Sequence, residues 1–167
     1  MKGLPRALRN ADEFGASVAS LALNNVPIAV ADGAPGFGNV AIGQLPQGEI
    51  LLLGGFAELT FMSASGTIIA AWTGTHSVGT VGTVDSDVAD AGEATFVQAS
   101  TIAAATAKVS PETRGVSAVA NTGTIISNQA GTSQLFLNLL IDDASISGAA
   151  AFTVSGKVKY SYVNLGV

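Results

Sequence analysis

The chain has 167 residues, with seven Lys or Arg against twelve Asp or Glu, one histidine and no cysteine. That inventory excludes disulfide scaffolds, thiolate catalysis, Cys-ligated metal centres and any multi-histidine metal cluster. Only 11% of residues are charged and 48% are hydrophobic, whereas soluble domains average about 25% charged, so the surface must be Ala, Gly, Ser, Thr and Val. This suits a subunit whose faces are covered by copies or partners better than a solitary monomer.

From the N-terminus, residues 1–25 are expected to form an arm or short helix, and residues 26–167 a single β-sandwich domain. Lys2, Arg6 and Arg9 surround Pro5, and nothing basic follows between Asn10 and Ala107. The segment has positive charge but no apolar run of the roughly 7–15 residues that a secretory signal needs, so export by that route is not expected. A net charge of -5 speaks against general nucleic-acid binding, which requires clustered Lys and Arg. Helical spacing is confined to Ala11–Leu23 and Ala99–Val109, both broken by Gly, Ser or Thr, so each is a short helix or none.

Strand signals then follow in order. Val26–Ala31 and Asn39–Ile42 suggest a first pair, and Glu49–Met62 reads as a central strand, apolar on both faces, bent or bulged at Gly54-Gly55. This apolar stretch falls short of the roughly 18 residues of a spanning helix, and no membrane segment is expected. Thr67–Thr73, His76–Val84, Glu93–Ala99 and Gly123–Gln129 add further strands. In Ser133–Asp142, Leu135, Leu137, Leu139 and Ile141 share one face, opposed by Phe136, Asn138, Leu140 and Asp142. In Phe152–Tyr162, Phe152, Val154, Val158 and Tyr160 oppose Thr153, Ser155, Lys157 and Lys159. About eight short strands between Gly, Pro, Asn and Asp turns predict an all-β, antiparallel sandwich or barrel. A jelly roll with an extended N-terminal arm is the first choice; an immunoglobulin-like sandwich and a closed barrel remain open.

Several residues invite a chemical reading. Gly36–Ala41 matches G-x-G-x-x-A, but a phosphate-binding turn should open a helix, which Gly43, Pro46 and Gly48 forbid. Asp85, Asp87, Asp90 and Glu93 place four carboxylates in one short stretch; a solvated acidic loop is the leading reading and a calcium-type site the alternative. His76 is expected at a surface or turn, without a nucleophile in register. Asp142-Asp143 reads as a turn. Trp72, Phe61, Phe96 and Phe136 lie on separate strands and are expected in the core, a sugar-stacking platform being the alternative. No catalytic, cofactor-binding or metal residue is assigned, no cofactor is expected, and the chain is expected not to be an enzyme.

Two motif groups carry a family resemblance. Leu45-Pro46-Gln47-Gly48-Glu49-Ile50 enters a long apolar strand. Leu135–Asp143 and Phe152–Val158 then lead to Tyr162-Val163-Asn164-Leu165-Gly166. From Leu45 onward the chain resembles the capsid decoration, or cement, proteins of tailed bacteriophages. The resemblance implies a jelly-roll sandwich that binds the outer surface of a phage head as a homo-oligomer and stabilises the shell. Its partners would be the major capsid protein and its own copies, as a dimer or trimer. It would be made in the host cytoplasm, and neither nucleic acid nor membrane would be bound. On that reading Lys2, Arg6 and Arg9 are the candidate capsid contacts. The alternative is a receptor- or glycan-binding sandwich of a viral fibre or adhesin.

Overall fold

The computed structural model describes residues 15–32, 35–64, 71–104, 109–117, 123–142 and 148–166. Nine strands run in chain order: β1 Ser17–Val30, β2 Gly36–Gln44, β3 Gly48–Ser63, β4 Gly74–Gly79, β5 Val97–Ile102, β6 Thr113–Val116, β7 Ile125–Asn128, β8 Gln134–Ile141 and β9 Ala150–Gly166. Among the described residues there is no helix.

The pairing is nested. β1 pairs with β9, β2 with β8, β3 with both β6 and β7, and β4 with β5, all antiparallel. Wrapping that ribbon brings β9 onto β3 and β8 onto β4. Two sheets result, one ordered β1-β9-β3-β6 with β7 also on β3, the other β2-β8-β4-β5. This is the jelly roll, and its strand order removes the immunoglobulin-like and closed-barrel alternatives.

Alternation explains the core. Leu135, Leu137, Leu139 and Ile141 of β8 are buried with Ile50, Leu52, Leu59 and Phe61 of β3 and Phe152, Val154 and Val158 of β9 in one cluster. Burying each such side chain stabilises by roughly 1.5–3 kcal/mol. Trp72 packs edge-on to Phe152 at 5.0 Å, and Phe96 edge-on to Tyr160 at 5.0 Å, a favoured aromatic geometry.

The glycine bend expected in the central strand is present as a register shift between Leu52 and Gly54 against β9. A Cβ on Gly55 would lie 1.9 Å from the Phe96 carbonyl oxygen, so main chain just before β5 seats directly on β3 where only glycine fits. Gly156 meets the same limit, with a φ of 137° and a Cβ position 2.1 Å from the Glu58 carbonyl oxygen.

Several expectations are corrected. Ser17–Asn25, assigned to the arm or a short helix, belong to β1, because Ala19, Leu21 and Leu23 alternate inward and pair with β9; tertiary pairing overrides the helical spacing. Residues 99–102 lie in β5 rather than at the start of a helix. β4 ends at Gly79, five residues short of the expected strand, and β5 begins at Val97 rather than Glu93. Residues 71–73 are not strand and bury Trp72, while the rest of the Thr67–Thr73 expectation lies outside the described residues. Gly36–Ala41 is β2, with no helix for a nucleotide turn to open. β6 was not anticipated.

Candidate functional site

The outer faces of the two sheets differ. The four-stranded sheet is covered by the β4–β5 connection. On β8, Asn138 points away from the core yet is fully buried, because its carboxamide grips that connection. It accepts from the Thr83 N–H at 2.8 Å and donates to the carbonyls of Val81 and Glu93, each at 3.0 Å. Asn39 on β2 adds a donor to the Thr83 carbonyl at 2.8 Å.

The five-stranded sheet has no such cover among the described residues. Its outward positions begin with Met62, 42% exposed and bridged to Val109, itself 44% exposed. Next comes an ionic cluster: the Glu58 carboxylate accepts from Arg114 at 2.9 Å and from Lys157 at 2.7 Å, and Glu112 lies 3.6 Å from Arg114. The Lys157 hydrogen bond, reinforced by the charges of Lys157 and Arg114, holds the Glu58 carboxyl below its usual range. Beyond it, Phe56 pairs across to both Lys159 and Val116, and Leu51 to both Val163 and Ile125. Val116 is 60% exposed, Ile125 58% and Val18 69%. An open depression of about 350 Å³ lies where Gly54 leaves the surface without a side chain, lined by Val18, Phe56, Lys159 and Ser161. The face therefore combines apolar ends, an internally satisfied ionic centre and all three described cations, Arg114, Lys157 and Lys159.

Lys2, Arg6 and Arg9 lie outside the described residues, as does Asp143. Asp142 accepts from the Thr73 hydroxyl, tying the end of β8 to the segment before β4. His76 is corrected from a surface or turn residue to a fully buried one. It points inward from β4, 5.7 Å from the Phe61 ring, and fits because Gly115 beneath it lacks a side chain. Neither ring nitrogen has a hydrogen-bond partner, and burial lowers its pKa to about 4, so it is a neutral core side chain at pH 7. Trp72, Phe61 and Phe96 are core, as expected, and Phe136 is half-buried, so they form no stacking platform.

In the acidic stretch, Asp85 accepts from the Asp87 N–H at 2.9 Å and Asp87 from the Ala89 N–H at 2.7 Å. These are turn-forming bonds within an exposed loop. Glu93 differs from its neighbours, being only 5% exposed. The ionic cluster was half legible: alternation put Lys157 and Lys159 on one face, but Glu58 and Arg114 join them only through the β3–β9 and β3–β6 register.

No family model and no curated protein matches the chain. Among solved structures, it is similar to a chain in the structure of infectious bursal disease virus Gx strain, at 11% identity and a TM-score of 0.44, over 91% of this chain. The protein spans about a third of that chain's length, 34%. It is also similar to a chain of the cyanophage Pam1 capsid asymmetric unit (17% identity, TM-score 0.34, covering 90% of this chain and 87% of that one). A third similarity is to broad bean stain virus (14% identity, TM-score 0.35, covering 92% and 90%). Likeness at this level extends to general β architecture alone, which the strand order establishes independently.

Proposed function

We propose that the protein is a non-enzymatic structural component of a virus particle, a capsid decoration protein that binds the outer surface of a phage head as a homo-oligomer and stabilises the shell. The observation that carries this reading is the outer face of the five-stranded sheet, which no described residues cover and where Val18, Val116 and Ile125 are exposed in a chain that has few charges to keep such a surface dispersed. Apolar burial is area-proportional, at roughly 25 cal/mol per Å², and stable interfaces bury about 1,200–2,000 Å² in total. A face of this kind can hold a subunit without specific polar chemistry. Repetition over many equivalent sites lets each contact supply only a few kcal/mol beyond its association cost. The motif resemblance from Leu45 onward supports the same reading, with the major capsid protein and a second or third copy as partners. Lys2, Arg6 and Arg9 would add contacts to an acidic shell.

The test is reconstitution on expanded heads lacking the protein, with occupancy measured by sedimentation and electron microscopy. Wild type is expected to bind saturably, Val116→Asp with Ile125→Asp to fold but lose occupancy, and deletion of residues 1–10 to weaken it. A wild-type protein that stays monomeric at high concentration and binds no shell would overturn the proposal.

A further inference from the structure

We propose that the β4–β5 connection binds a hard divalent cation, of which Ca²⁺ is the type, using the buried carboxylate of Glu93 together with the neutral oxygens of the loop. The residue that points to a ligand is Glu93 itself. It is 5% exposed, and its Oε2 is buried without a hydrogen-bond partner. An unpaired buried carboxylate oxygen is among the costlier arrangements a fold can keep, and proteins resolve it with a proton, a cationic side chain or a metal ion. Described side-chain cations do not resolve it: Arg114 and Lys157 are engaged with Glu58 on the other sheet, and Lys159 stands beside Phe56 on that same sheet.

The surroundings are rich in acceptors and poor in donors. The Thr83 hydroxyl beside Glu93 donates toward the carbonyls of Asp85 at 2.9 Å and Asp87 at 3.2 Å, so its one proton is contested by those oxygens and by the carboxylate. Burial raises the Glu93 pKa, and the nearby charges of Asp85, Asp90 and Asp87 raise it further, against the Thr83 hydrogen bond that lowers it. Among the described residues no three acidic or imidazole side chains are grouped to hold a metal by themselves. The donor set is therefore one carboxylate, a hydroxyl and main-chain carbonyls, completed by water, which suits calcium's tolerance for six to eight mixed oxygens and disfavours transition metals. Such a site is weak, with a dissociation constant of about 10⁻⁴–10⁻³ M, typical of extracellular calcium modules. Because Asn138 ties the loop to β8, the ion would fasten the cover of the four-stranded sheet. The inference does not depend on the capsid reading.

The experiment is calorimetric titration of CaCl₂ into chelator-treated, desalted protein, with thermal unfolding followed in parallel. Wild type is expected to bind one ion and to unfold at a higher temperature as CaCl₂ rises, and Glu93→Gln is expected to weaken binding at least about tenfold and remove the thermal shift. Thr83→Val serves the same comparison if Glu93→Gln does not fold. No heat and no thermal shift in wild type up to about 10 mM CaCl₂, or equal affinity in the folded variant, would overturn the site and leave a proton as the partner of Glu93.

Discussion

Asn138 and Thr83 are joined side chain to main chain at 2.8 Å, and through that bond a single carboxamide on β8 holds the start of the β4–β5 connection while its nitrogen holds the carbonyl of Glu93 at the far end. Replacing Asn138 with Ala strips the buried Thr83 N–H and the part-buried Val81 carbonyl of their side-chain partner, while the Glu93 carbonyl keeps the Ser77 hydroxyl at 2.9 Å. The expected loss is about 2–4 kcal/mol, read by urea denaturation. Hydrogen exchange should accelerate across residues 80–95 beyond the global change. Asn138→Asp should be worse, because it faces a carboxylate toward two carbonyl oxygens.

His76 predicts an acid limit. Its folded pKa of about 4 lies below the usual value near 6.5, so the unfolded chain binds the proton first. The stability it permits is complete above about pH 6.5 and is lost as the pH falls toward 4. His76→Phe removes two unpartnered nitrogens and the titration with them. Between pH 7 and pH 4.5 it should gain about 2–3 kcal/mol on wild type, measured by chemical denaturation at both values. Parallel curves would mean that the imidazole protonates in the fold without cost.

Glu93 has the opposite sign. A raised folded pKa means that the native state holds the proton more tightly, so the contribution is favourable in acid and is lost as the pH rises. In chelator at pH 7, Glu93→Gln should therefore be more stable than wild type by on the order of 1 kcal/mol. The gain should shrink below about pH 4.5, near the ordinary glutamate range.

The two adjacent glycines of β3 should respond differently. A Cβ on Gly54 would find only the Ser161 hydroxyl at 3.8 Å, whereas one on Gly55 meets the Phe96 carbonyl at 1.9 Å. Gly54→Ala is expected within about 1 kcal/mol of wild type. Gly55→Ala should cost more than about 3 kcal/mol or prevent folding, judged by denaturation and soluble yield.

The strands that alternate cleanly were legible, because period-two patterning is written locally. β8 and β9 expose one apolar face to inspection, and Gly54-Gly55 marks the bulge. What depends on distant pairing was not. Ser17–Leu23 carries an alanine-rich helical spacing that yields only when β9 lies beside it. Asn138 reads only as a residue opposite the leucine face of β8 until the β4–β5 connection covers it. His76 looks like a surface residue because nothing nearby in the chain announces that Gly115 leaves room for an imidazole in the core. The four acidic residues of the loop look alike in sequence, and only the fold separates Glu93 from the three aspartates.

The pairing of Ser17 with Tyr162 ties the first described strand to the last, and this has a consequence for biogenesis. During translation β1 leaves the ribosome well before β9, its only strand partner among the described residues, so the five-stranded sheet closes only once β9 has emerged. Closure over so long a loop is slow compared with helical domains, and during the interval the open edge of β1 can pair with another nascent chain. Expression should therefore favour low temperature and sparse ribosome loading, and an insertion at the tip of a surface loop should be better tolerated than a truncation that removes part of β9.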